Sequence, residues 1–180
     1  MTARVWARLL LVLACAAIFQ VAVLDNIVIH FAHADVMLLV AIGAGLAGGA
    51  QYGAVAAFVA GLTADLFVDT PYGASALTFV LVAFAVGLAA TASGPAERTG
   101  SGFRFAAAVL GGAAGTLLYA GIGYILGQPL ALAGNIVTTV TVVTLGDAIL
   151  AFPVLAAMRW AFALPAAADR AAAVATARAR

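Results

Sequence analysis

From Val36 to Ala64 the chain carries no charged side chain, a run longer than the roughly 20 apolar residues that a membrane helix needs. The rest of the chain has the same character. A soluble domain averages about 25% charged and about 45–50% apolar residues; here 8% are charged and 66% are hydrophobic. The mean hydropathy is +1.18. No water-soluble fold accommodates such a composition, which suffices for six membrane helices. The sequence therefore predicts an all-α integral membrane protein, a compact bundle of six transmembrane helices.

The same composition excludes several functions. No extramembrane stretch is long enough to fold as a domain, so an ATPase, kinase or nucleic-acid-binding module has no place. The net charge of +1 offers no electrostatic footprint for DNA or RNA. Cys15 is the single cysteine, which rules out disulfides within the chain and cysteine-based zinc sites. Val12-Leu13-Ala14-Cys15 has the look of a lipoprotein cleavage site. The apolar run continues to Leu24, however, and further hydrophobic segments follow, so an uncleaved first helix is the better reading.

Breaks in the hydrophobic runs define spans at about 5–24, 36–49, 53–67, 73–92, 103–126 and 136–158. Gly48-Gly49-Ala50-Gln51-Tyr52-Gly53 divides the long uncharged run into two short helices, which either cross or re-enter. Thr70 and Pro71 supply a helix-start signal for the fourth span. Arg159-Trp160 anchors the end of the sixth at an interface. Residues 1–164 make one domain, and 165–180 is an Ala/Arg-rich tail, mobile or lying along the membrane surface.

Arginine placement tests this count. Six crossings, or four plus a re-entrant hairpin, bring Arg4, Arg8, Arg98, Arg104, Arg159, Arg170, Arg178 and Arg180 to one side. The positive-inside rule makes that side the cytoplasm, with both termini in it. Five crossings would put Arg98 and Arg104 outside.

Few residues could carry chemistry. Gly45, Gly49 and Gly53 recur at four-residue spacing, as do Gly111–Gly115 and Gly123–Gly127; such rows let helix backbones approach closely, within the bundle or against a partner helix. Gly53, Ala57 and Gly61 lead on one stripe to Asp65, which should therefore face protein and not lipid. Asp147 lies in the middle of the last span, where an ionised carboxylate costs about 2.5–3.5 kcal/mol. Thr138, Thr141 and Thr144 precede it as a slanting ridge of hydroxyls. That group is either a polar site for a proton, ion or small solute, or a structural aspartate beside threonines bonded to their own backbone. His30, His33 and Asp35 are three potential metal ligands within six residues, but Asp35 is equally explained as an N-terminal cap of the second helix. No nucleophile motif, phosphate-binding glycine loop or paired carboxylates occur, and no cofactor is implied.

One stretch has a familiar order. Ala34-Asp35-Val36-Met37-Leu38-Leu39 opens the second segment, followed by Gly53, by Phe58-Val59-Ala60-Gly61-Leu62-Thr63-Ala64-Asp65-Leu66, and by Pro71-Tyr72-Gly73-Ala74-Ser75-Ala76-Leu77. These resemble the MreD family of small rod-shape-determining proteins of the bacterial cell membrane. The family pattern runs Pro-Asp before a leucine-rich segment, then Gly-Leu-x-x-Asp, then Pro-x-Gly leading to Ala-Leu; this chain has Ala34 in place of the proline. The resemblance implies a non-enzymatic scaffold of the elongation machinery that maintains cell shape. Its implied partners are a bitopic MreC-type protein and, through it, MreB, RodA and a class B transpeptidase, with membrane lipids around it. It also implies a fold like the six-helix S components of energy-coupling-factor transporters, with Gly61 and Asp65 shaping the third helix, Pro71 and Gly73 the turn after it, and small-residue faces seating the MreC helix. The alternative is a solute-binding subunit of that transporter class, or a small permease relaying protons through Asp65 and Asp147.

Overall fold

The computed structural model describes residues 3–24, 34–67, 72–93, 100–127 and 136–178, with side-chain environments described from Arg4 to Ala163. These residues form six helices: α1 (Ala3–Ala22), α2 (Val36–Gly48), α3 (Ala50–Asp65), α4 (Ala74–Ala92), α5 (Ser101–Ile125) and α6 (Ile136–Arg178). No strand occurs among the described residues. Among the described residues, four stretches are long and apolar enough to cross a membrane: Arg4–Ala22, Ala74–Ala92, Ser101–Ile125 and Ile136–Ala163.

The centre of the bundle is α2. It packs against all five other helices, and every residue from Val36 to Leu46 is buried. Its sequence, VMLLVAIGAGLAG, has no polar side to turn outward, and a helix that is apolar all round belongs in a core. Its 13 residues make about 20 Å of helix, short of a hydrocarbon core of about 30 Å.

Neighbours fix the depth at which α2 begins. Ala34, just before it, lies against Gly146 within α6; further along, Gly43 meets Met158 and Leu155, and Gly48 meets Phe162. Thus α2 runs beside the Gly146–Phe162 stretch of α6 and starts partway through the bundle. The helix does not span it. The chain then reverses at Gly49, whose φ of 82° and ψ of 179° suit a residue without a side chain. One turn on either side of it, Gly53 and Gly45 touch. From there α3 runs back along α4, with Ala50 beside Gly87, Gly53 beside Ala83 and Gly61 beside Ala76. The break expected over residues 48–53 narrows to Gly49 alone.

One end of the bundle is closed by a cation on an aromatic ring. The Arg8 guanidinium of α1 sits 4.2 Å from the Trp160 ring centroid, and its Nη1 donates to the Trp160 carbonyl at 3.2 Å. The Gly49 turn lies at this end, because Gly48 packs on Phe162. The helix directions bring Arg4, Arg104 and Arg159 to the same end.

The sixth span differs from the sequence reading, which ends it at Met158 and sets 165–180 apart. Instead α6 continues as a single 43-residue helix through Pro153 and Pro165 to Arg178. Alanine is the strongest helix former, and the stretch after Ala163 is alanine-rich. A proline removes one backbone hydrogen bond, which is not enough to stop the helix here. At a rise of 1.5 Å per residue, α6 is about 65 Å long and reaches well past any hydrocarbon core.

Candidate functional site

Buried polarity is concentrated at two helix starts, and each involves a carboxylate from another helix. A helix leaves its first N–H groups without intrahelical partners, and in a water-free interior each unpaired group is costly. Both arrangements answer that requirement.

The first joins α3 to α4. Asp65, at the end of α3, is 1% exposed. Its Oδ2 accepts the Gly73 N–H at 2.8 Å and the Ala76 N–H at 3.5 Å, while its Oδ1 accepts the Ser75 N–H at 3.1 Å. The residue at the N-cap of α4 is Gly73, which has no side chain to offer and a φ of 99°, so Asp65 caps the helix in its place. One turn earlier, Gly61 makes this possible: a Cβ there would run into the Ala76 Cα and, at 2.5 Å, its N. The expected starting signal of α4, Thr70 and Pro71, lies outside the described residues. The described helix begins at Ala74 and takes its cap from the preceding helix.

The second joins α1, α2 and α6. Asp35 caps α2 with its own side chain, Oδ1 accepting the Leu38 N–H at 2.9 Å. The Asp35 N–H donates to Asp147 Oδ1 at 3.0 Å. From α1, Gln20 Oε1 accepts the Val36 N–H at 3.0 Å, and Gln20 Nε2 donates to the Ala34 carbonyl at 3.3 Å. Asp147 is fully buried. Its Oδ2 has no hydrogen-bond partner among the described residues and presses on α5 at Gly112, where a Cβ would collide with it.

The threonine ridge divides. Thr141 is exposed and donates to the Val137 carbonyl at 2.7 Å, the self-bonding that threonines adopt in helices. Thr144 has a buried hydroxyl oxygen without a partner among the described residues. The two therefore do not form one site.

The glycine rows of α2, α3 and the first part of α5 turn inward, whereas Gly127 meets open space. Gly45 faces Ala83 and Gly87, Gly53 faces Gly45, Gly111 faces Ile42, and Gly115 faces Leu38. Gly45, Gly49, Gly53 and Gly61 are all buried by the chain's own helices. They are packing residues within the bundle, the first of the two roles that such rows allow. Gly73 acts through its backbone, as does Gly127 with a φ of 76°. Cys15 is exposed in the middle of α1. His30 and His33 lie outside the described residues, among which no cluster of metal-ligating side chains occurs.

Gln20 was missed by the sequence reading. A signal existed: Val5, Leu9, Leu13 and Ala16 form the buried stripe of α1, and Gln20 extends that stripe by one more turn. A lone amide on an inward apolar face points to a polar partner inside.

Searches for family models, curated proteins and solved structures similar to this chain returned no match.

Proposed function

We propose that this protein is a non-enzymatic membrane scaffold of the bacterial lateral cell-wall machinery. In this reading it is an MreD-type partner of a bitopic MreC-type protein and, through it, of MreB, RodA and a class B transpeptidase. One observation carries the reading. The residues that make the family resemblance are the ones that build the α2–α3–α4 unit: Asp35 caps α2, Gly61 lets α3 meet α4, and Asp65 with Gly73 starts α4. A signature of this kind encodes an architecture and leaves no reactive group over. Asp65, which a proton relay would enlist, has both oxygens engaged by main-chain donors.

The arginine-bearing end of the bundle is then the cytoplasmic one, and the S-component likeness of the fold belongs to the same proposal. The partner helix meets the lipid-facing surface, because Gly45, Gly53, Gly61, Gly111 and Gly115 lie inside. Outward residues on α3 include Val55, Phe58 and Leu62, and on α5 Leu110 and Leu117. Gly121 of α5 has open space where a Cβ would stand.

The test is site-specific photo-crosslinking at Val55, Leu62, Leu117 and Gly121 in cells that co-express an MreC-type protein. Adducts confined to one helix face, together with co-purification in mild detergent, are the expected result. Neither adduct nor co-purification from any position would end the scaffold reading, and measured solute uptake by the purified protein would replace it.

A further inference from the structure

Thr144 departs from four other threonines in the described helices. Thr63, Thr78, Thr116 and Thr141 each donate to the carbonyl four residues back, at 2.7–3.0 Å. That bond is open to any threonine in a helix interior, yet Thr144 does not make it, and its oxygen is buried. One turn later on the same helix, Asp147 Oδ2 is likewise buried, and no described donor reaches it. The two atoms do not bond each other. Two polar atoms a turn apart, each lacking a partner, lie where burial without a hydrogen bond costs about 1–3 kcal/mol apiece.

We propose that Asp147 Oδ2 and Thr144 Oγ1 bind one internal water molecule where α6 packs against α2 and α5. The water donates one O–H to the carboxylate and accepts the threonine hydroxyl, so one molecule satisfies both groups. Buried waters typically make about three hydrogen bonds to such groups. Chemistry favours water over a cation. Among the described side chains these are the two buried oxygens without a partner, where a hard cation such as calcium or magnesium takes about six or more. The start of α2 beside them also carries the positive end of a helix dipole, which repels cations. Gly112 contributes by omission, since a side chain there would push the carboxylate out of place.

Two measurements test the water. The first is a thermal-unfolding cycle on the purified full chain with Thr144→Val, Thr144→Ser, Asp147→Asn and the Val/Asn double variant. Thr144→Val should lower Tm by about 2–4 °C and Thr144→Ser should not, while the double variant should fall short of the sum of the singles. A neutral Thr144→Val, or strict additivity, overturns the proposal. The second measurement stands even if an Asp147 variant fails to fold. It is an experimental map of the wild-type protein that resolves ordered solvent. A peak about 3 Å from both oxygens is expected. Thr144 turned back onto the Val140 carbonyl, or a peak ringed by the roughly six oxygens of a metal ion, overturns the proposal.

Discussion

The starts of α4 and α2 solve one problem with different completeness. At α4, one carboxylate accepts three main-chain N–H groups and has both oxygens occupied. At α2, the work is divided among Asp35, Gln20 and Asp147, and one oxygen of Asp147 is left without a described partner. The first cap is closed by residues 8 to 11 positions apart, whereas the second draws on residues 3, 16 and 112 positions apart. A local cap can be perfected within one helical hairpin. A remote cap depends on how whole helices dock, and it retains slack.

That contrast ranks the effects of substitution. Gly61→Leu should do the most damage, because the new side chain meets the Ala76 backbone, which cannot yield as a side chain would. Overpacking costs about 1–3 kcal/mol and occasionally more; here we expect no monodisperse protein on size-exclusion chromatography. The outcome also separates packing from docking, since a well-folded Gly61→Leu protein that merely lost a partner would contradict the buried position of Gly61.

Asp65→Ala comes next. It strands the N–H groups of Gly73, Ser75 and Ala76, at about 1–3 kcal/mol for each that stays dry, and should lower Tm more than any other change short of misfolding. Gln20→Leu removes the acceptor for Val36 and the donor to Ala34. We expect a loss of about 1–2 kcal/mol, read as a shift of a few degrees in thermal unfolding. Asp147→Asn should cost least, less than about 1 kcal/mol, since an amide oxygen can still accept the Asp35 N–H in a net hydrogen bond of ordinary strength. If Asp147→Asn proves costlier than Asp65→Asn in the same assay, the ranking of the two caps is wrong.

The same difference in range explains what could be read from the sequence. Asp65 was legible because its stripe through Gly53, Ala57 and Gly61 is local and repeats at helical spacing. Asp35 was legible as a cap for the same reason. The pairing of Asp35 with Asp147 was not, because no pattern along a single chain shows which distant spans touch. Nor was the depth of α2: thirteen apolar residues look alike whether they sit at a surface or in the centre, and only the contacts of Ala34 with Gly146 reveal it. Four-residue glycine spacing marks close approach, and Gly45, Gly53, Gly111 and Gly115 do meet neighbours closely, but spacing cannot say whether the approaching backbone belongs to the same chain. The extension of α6 was hidden by Pro165, since a proline signal weighs against helix whatever surrounds it.

The central position of α2 has a consequence for biogenesis. This helix is too short to be threaded across a bilayer alone, and its opening N–H groups wait for acceptors from the first span and the last. The middle of the bundle can therefore be finished only after the Gly146–Phe162 stretch of α6 has been made. A chain truncated after α5 would hold α2 with its Asp147 contact missing, a half-built intermediate exposed to membrane quality-control proteases until α6 arrives.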